Sequence, residues 1–212
     1  EADFLAPSLA YISPVVGKYW NDYLLGNCTS KDIIHSVGNI DIVFTKPEDK
    51  QLFTHIQNKN SWSGPFSNRI LEFLVEQDKT HDFIIIDNQG GRFFSSVTHS
   101  FFSDILICVL RPDKSDVVAT VNYLKSLKKD FYLVWNQVLP HSQMSDAINE
   151  WIGEYFAPHE TYKGTLGKIP FDEETAFQRW IQRKLFIKET PFTAIIEDIA
   201  KKLTEIVKKE EK

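Results

Sequence analysis

Four short stretches hold chemically useful residues, three of them at the ends of apolar runs. In the first, Asp82-Phe83-Ile84-Ile85-Ile86-Asp87 leads straight into Asn88-Gln89-Gly90-Gly91. An apolar strand here delivers the Asp87 carboxylate to its carboxyl end, at a fixed height where it can hold magnesium directly or through water. A glycine in the turn that follows, Gly90, lets the backbone come close to a terminal phosphate. The plainer alternative is a surface aspartate closing a strand. In the second stretch, Glu1-Ala2-Asp3, Asp3 would sit just after a strand that these residues do not contain, and an acid there could orient an attacking water. A helix cap or a frayed terminus explains Asp3 equally cheaply, and from the letters alone is preferred. In the third, residues 131–138 end in Asn136-Gln137-Val138. A side-chain amide offers a donor and an acceptor, which matches a purine edge; a strand closed by a local turn is the alternative. The fourth, Leu166-Gly167-Lys168-Ile169-Pro170-Phe171-Asp172, reads as a strand, a proline stop and an aspartate capping the next helix, which a plain strand-to-helix connection also explains.

These residues need strands to carry them. Residues 41–44, 83–86, 105–110, 131–135 and 166–169 are the strand candidates. The runs at 83–86 and 105–110 are apolar on both faces, as suits strands covered on both sides in a parallel sheet. Helical patterns fall between them. Ser67 can cap a helix carrying Ile70, Leu71, Phe73 and Leu74. Asp113 can cap one whose Val117, Val121 and Leu124 share a face. Residues 144–156 form another. The last helix starts at Pro191, with Phe192, Ile195, Ile196, Ile199, Leu203, Ile206 and Val207 in one stripe expected to pack on the sheet. This alternation predicts an α/β fold: a three-layer, mostly parallel sheet with helices on both faces, in one domain over residues 1–212. Ligands bind such sheets beyond the carboxyl ends of the strands.

Composition sets the outer limits. At 212 residues, 42% hydrophobic, the chain can bury a sizeable core without staples. A net charge of −5 argues against a surface that grips nucleic acid throughout, but leaves room for a local basic patch. The two cysteines, Cys28 and Cys108, are isolated, so neither a disulfide framework nor a structural zinc site is expected, and a reducing cytoplasm is the simplest reading. The six histidines lack metal-ligand spacing. No apolar run approaches the roughly 18 residues of a membrane span.

Taken in order, the four stretches resemble the ParA/MinD family of deviant-Walker ATPases. The resemblance rests on Glu1-Ala2-Asp3 with Ala6-Pro7-Ser8-Leu9, then Asp87-Asn88-Gln89-Gly90, Asn136-Gln137 and Ile169-Pro170-Phe171-Asp172. Ser103-Asp104-Ile105-Leu106-Ile107 looks like the family's strand entry. It implies ATP and Mg2+ as cofactors, with Asp87 on the magnesium side and Asp3 positioning the hydrolytic water. Gly90 would be a switch glycine, and Asn136 with Pro170 and Asp172 would recognise adenine. It further implies a nucleotide-dependent homodimer, an activating protein partner, and a switch serving partitioning, positioning or assembly.

No G-x-x-x-x-G-K-[ST] pattern occurs in the sequence. The resemblance therefore implies that the first strand and the P-loop, a piece of roughly 30 or more residues, lie ahead of Glu1 in a longer ATPase parent, the 212 residues being inactive alone. Where the family has Thr-Pro-Pro, this chain has Asn88-Gln89. A non-catalytic interaction module with a degraded nucleotide site is the alternative that this difference raises. An iron–sulfur carrier branch of the superfamily would call for paired cysteines. DNA is a further partner to weigh, from Arg179, Arg183, Lys184, Lys188, Lys201 and Lys202, which solvated helix faces also explain.

Overall fold

The computed structural model describes residues 1–4, 7–12, 16–47, 49–56, 58–90, 93–180 and 190–210. They form two compact units, Glu1–Ser103 and Asp104–Lys212.

The first unit begins with α1 (Leu9–Ile12), α2 (Trp20–Leu24) and a 3-10 turn (Ser30–Ile33). A hairpin follows, of β1 (Ile34–Val37) and β2 (Ile40–Val43), paired antiparallel with Val37 opposite Ile40. Of the two strands only the second was expected, and neither joins the parallel sheet. The two-residue link is Gly38-Asn39, and Gly38 has a left-handed φ of 64°, which glycine adopts without a Cβ penalty. After α3 (Lys50–Ile56) and α4 (Lys59–Trp62) comes α5 (Pro65–Gln77), whose Phe66, Ile70 and Phe73 are buried. Ser67 does not cap α5. The helix starts at Pro65 after Gly64, because a proline has no N–H to leave unpaired in the first turn. The Ser67 hydroxyl instead donates to the Trp62 carbonyl. The unit closes with α6 (Phe94–Phe102), and α2, α4 and α5 share an aromatic core with Phe4 that includes Trp20, Tyr23, Trp62 and Phe73.

Residues 83–86 differ from expectation. They are not part of a ladder, and Ile85 is 88% exposed. An apolar run becomes a strand only when a neighbour takes up its backbone groups, and no described residue does so here. Beyond them, Asn88 forms an isolated parallel bridge with Ala2.

The second unit is the α/β layer structure that the sequence predicts. β3 (Leu106–Leu110), β4 (Phe131–Val138) and β5 (Tyr162–Pro170) form a sheet in that order, parallel throughout. The links are α7 (Lys114–Leu127), and α8 (Ser142–Trp151) continued by a π-helical turn (Ile152–Phe156). Parallel strands need crossovers of this length. Asp113 caps α7 as expected, accepting from the Ser115 and Asp116 amides. α9 (Glu173–Trp180) and α10 (Pro191–Glu210) follow.

β4 is central, and its two faces feed two cores. Phe131, Leu133 and Trp135 pack with α7 and the π-helical turn. Val134 packs with Leu166 and Ile169 under Ile195, Ile199 and Leu203 of α10. Phe192, Ile195, Ile199, Leu203 and Ile206 of the expected α10 stripe therefore lie on the sheet, whereas Ile196 is 39% exposed; each fully buried side chain of this kind stabilises by roughly 1.5–3 kcal/mol. β3 departs from the expected two-sided cover. Its Leu106, Cys108 and Leu110 face the first of these cores, while Ile107 and Val109 are 41% and 60% exposed.

Gly167 sets how closely α10 sits on β5. A Cβ built there would lie 2.9 Å from Ile199 Cδ1 and Cγ1. We expect Gly167→Ala to destabilise by about 1–2 kcal/mol in urea unfolding. Ile199→Val removes the crowding methyl, so the double variant should recover part of that loss, a non-additivity that a double-mutant cycle reads directly.

The hairpin is fastened to α5 through His81. Its Nε2 lies 3.1 Å from Asp41 Oδ2, Nδ1 lies 3.1 Å from the Gln77 carbonyl, and Ser36 donates to Asp41 at 2.5 Å. The Gln77 carbonyl first, and then Asp41, raise the imidazole above its ordinary 6.5. Ser36, followed by His81, lowers the Asp41 carboxyl below its ordinary 3.8. The imidazole's contribution is complete below pH 6.5 and is lost as pH rises through its raised folded value. That of the carboxylate is complete above pH 3.8 and is lost as pH falls through its lowered folded value. In an NMR titration, Asp41→Asn should move the His81 midpoint down; an unmoved midpoint would mean that the pair does not form in solution.

Candidate functional site

In the first unit the site is built around one isolated bridge. The Ala2 N–H donates to the Asp87 carbonyl at 2.7 Å, and the bridge from Ala2 to Asn88 is parallel. Asp3 and Asp87 therefore flank one parallel bridge between two segments that run in the same direction. On its other side the same segment is held by the hairpin end. The Glu1 nitrogen donates to the Val43 carbonyl at 2.8 Å, and the Thr45 hydroxyl donates to the Glu1 carbonyl at 2.6 Å. The Glu1 carboxylate accepts from the Ser8 and Leu9 amides at 2.6 and 2.9 Å, which caps the start of α1. Part of the Ala6-Pro7-Ser8-Leu9 motif is thus a folding device, although Leu5 and Ala6 lie outside the described residues.

The Asp87 side chain is exposed and Asp3 is half-buried. Gly90 is exposed too, and a Cβ at that position would meet open space. Its surroundings leave room for a ligand, but its backbone does not itself demand glycine. Gly91 lies outside the described residues.

Between Asp87 and Gly90 the structure assigns a role to the residues in which the chain departs from Thr-Pro-Pro. Asn88 Nδ2 donates to the Ser96 carbonyl at 3.1 Å, Gln89 Nε2 to Ser95 Oγ at 2.9 Å, and Ser96 Oγ to the Gln89 carbonyl at 2.9 Å. Gln89, Ser95 and Ser96 are buried. The loop is latched to the first turn of α6. Sequence reasoning missed this latch; its only local trace is the Ser95-Ser96 pair just after the glycine turn.

In the second unit the carboxyl ends of β4 and β5 lie side by side. Val138 pairs with Pro170, and the Phe171 N–H donates to the Val138 carbonyl at 3.0 Å. Asn136 and the residues from Pro170 to Asp172 therefore reach the same end of the sheet. The register is irregular between Trp135 and Val138, where Gln137 has a left-handed φ of 60°. Asn136 Oδ1 accepts from the Gln137 amide at 2.9 Å. That bond leaves the Asn136 NH2 group and one carbonyl lone pair for a ligand. Asp172 accepts from the Thr175 amide at 2.8 Å, as a cap of α9 does.

No group of three or more metal-ligating side chains occurs among the described residues, nor does any helix long and apolar enough to cross a membrane. Of the late basic residues, Lys202 donates to the Leu166 carbonyl at 2.6 Å and Lys201 lies 3.8 Å from Asp198, while Arg183, Lys184 and Lys188 lie outside the described residues.

No protein-family model and no curated protein matches the sequence. Solved structures do match its fold. The septum site-determining protein MinD of Pyrococcus horikoshii OT3, complexed with Mg-ADP, superposes with a TM-score of 0.68 at 16% identity, over 97% of this chain and 82% of that one. The cell division ATPase MinD of Pyrococcus furiosus gives 0.68 at 16%, over 97% and 84%. A McdA variant of Cyanothece in complex with ATP gives 0.67 at 14%, over 93% and 80%. The chain therefore has a P-loop nucleoside triphosphatase-like fold. Within that class it is the fold of the ParA/MinD-type ATPases, as the ordered motifs implied.

The latch is testable. Gln89→Ala leaves the Ser95 hydroxyl without its partner in a buried place, and should cost about 1 kcal/mol. It should also speed hydrogen exchange of the amides from Asn88 to Gly90, while those of β4 keep their protection.

Proposed function

We propose that the chain is the greater part of an ATP-dependent dimerising switch of the ParA/MinD type, acting in the positioning, partitioning or assembly of a partner. The observation that carries this reading is the pairing of Ala2 with Asp87 and Asn88, which sets Asp3 and Asp87 on two adjoining parallel segments in a fold shared with ATPases. Asp87 then stands on the magnesium side, Asp3 orients the attacking water, and Gly90 belongs to the loop that senses the terminal phosphate. Asn136, Pro170 and Asp172 border the adenine.

The residues at hand fit this ligand in part. Mg2+ is commonly held by one or two carboxylates together with substrate phosphates and water, so an exposed Asp87 suffices on the protein's side. The amide of Asn136 suits a purine edge. The phosphate side does not fit, because the sequence contains no glycine-rich loop with its lysine. We therefore derive no hydrolytic step, and expect weak nucleotide binding by these 212 residues alone.

A second reading, a non-catalytic interaction module, is favoured by the latch, since Asn88 and Gln89 tie down the loop that a switch would have to move.

Calorimetry with Mg-ATP, on these residues and on the polypeptide translated from the natural gene, separates the two. The switch reading expects micromolar or tighter binding by the natural polypeptide, self-association only with nucleotide, and loss of the magnesium-dependent part in Asp87→Asn. Nucleotide-independent partner binding with no heat from Mg-ATP would establish the module instead.

A further inference from the structure

α6 is turned inside out. Its buried side chains are Ser95, Ser96, His99 and Ser100, whereas Phe94 and Phe101 are 39% and 68% exposed. Of its phenylalanines, Phe102 alone joins the aromatic core. A helix docked through a polar face gains little from apolar burial, so it depends on its hydrogen bonds and on one ring. The hydrogen bonds are the latch, in which Ser95 and Ser96 engage Asn88 and Gln89. The ring is the imidazole of His99.

His99 is 1% exposed and sits among three aromatic rings. Its centroid lies 6.3 Å from that of Phe4, stacked at 22°, 6.0 Å from that of Trp62 and 6.5 Å from that of Trp20. Neither of its ring nitrogens has a hydrogen-bond partner among the described residues. The Ser95 carbonyl favours a proton on the imidazole without reaching hydrogen-bond geometry. Burial dominates and holds His99 down at about 4, and the Glu1 nitrogen adds a smaller push in the same direction.

The surroundings hold no anion to spare for an imidazolium. Ile70, Phe73 and Leu74 of α5, beside the pocket that His99 borders, add only apolar surface. Asp41 and His81 line that pocket but are paired with each other at 3.1 Å. The Glu1 carboxylate is engaged by the Ser8 and Leu9 amides. Ring faces attract a cation, but they do not replace the acceptors that two imidazolium N–H groups require, so the charged ring leaves its place.

His99 reaches the loop after Asp87 by two routes. Ser95 and Ser96 stand one turn ahead of it on α6. Phe4, stacked on its ring, follows Ala2 and Asp3, and Ala2 is paired with Asp87 and Asn88.

We infer that α6 is an acid-released clasp: protonation of His99 drives its ring out from among Phe4, Trp20 and Trp62, frees the buried face of the helix and lets go of residues 88–90. The device needs no nucleotide, so it stands under either reading of the function.

A detached imidazole takes up its proton at the ordinary 6.5, and the docked one only at about 4. The clasp is therefore at full strength above pH 6.5 and weakens as pH falls from there to about 4. His81 works the other way, because a raised value strengthens its contact with Asp41 on acidification.

Hydrogen exchange of the 212-residue chain, corrected for the intrinsic effect of pH on exchange, reads the clasp directly. Opening at residues 88–90 and 95–99 should rise about twentyfold from about pH 7 to about pH 5, while β4 changes by less than about threefold. His99→Leu, and His99→Gln with its polar but uncharged group, should each shrink the rise to within about threefold. In the unaltered chain, an NMR midpoint for His99 near 6.5, or residues 88–90 that open no more readily in acid, overturns the proposal without any variant. A rise that persists undiminished in both substituted chains overturns it as well.

Discussion

One backbone hydrogen bond organises the acidic end of the first unit: the Ala2 amide on the Asp87 carbonyl, at 2.7 Å. Because both partners are main chain, their spacing is fixed by the peptide geometry and not by the choice of side chain. The Glu1 nitrogen and carbonyl are engaged by Val43 and Thr45 on the opposite side, so residues 1 and 2 run between two other segments as a short central strand would. Asp3 is positioned by what precedes it, and Asp87 by what precedes and follows it. Nothing in this arrangement depends on attraction between the two carboxylates, which would repel if both were charged.

The latch on α6 extends the same constraint. Asn88 and Gln89 take up Ser95 and Ser96, so the loop after Asp87 is held at both ends. A buried amide can do this only where every neighbour is aligned, and the alignment is incomplete: Asn88 Oδ1 and Gln89 Oε1 are buried without partners. A loop held by good donors beside unsatisfied acceptors is held less firmly than its donors alone would hold it, since moving those acceptors into solvent offsets part of the loss of the latch. The feature that counts against a moving switch thus also lowers the free energy needed to release it.

The second unit shows what full cover of a strand achieves and where it stops. β4 is sealed on both faces, by α7 and the π-helical turn on one and by α10 on the other. β3 is sealed on one face alone, and Ile107 and Val109 stand out to solvent. An open apolar strand face is of the kind that can mark an interaction site.

Local signals in the sequence determined a good deal. Apolar runs with stop residues marked β3, β4 and β5, and a short acid with following amides marked the Asp113 cap. A stripe at helical spacing marked the sheet-facing side of α10. These are properties of a few consecutive residues, so the chain alone carries them. The tertiary structure decided what depends on distant partners. Residues 83–86 have the letters of a strand yet lack the neighbour that would make them one. Ala2 and Asn88 pair across 86 positions, and no periodicity announces such a meeting. Gln89 gained its role only because α6 folds back beside it. Asn136 and Asp172, read as ligand contacts from their places at strand ends, also spend part of their hydrogen-bonding capacity on their own backbone, because the nearest amide is always at hand.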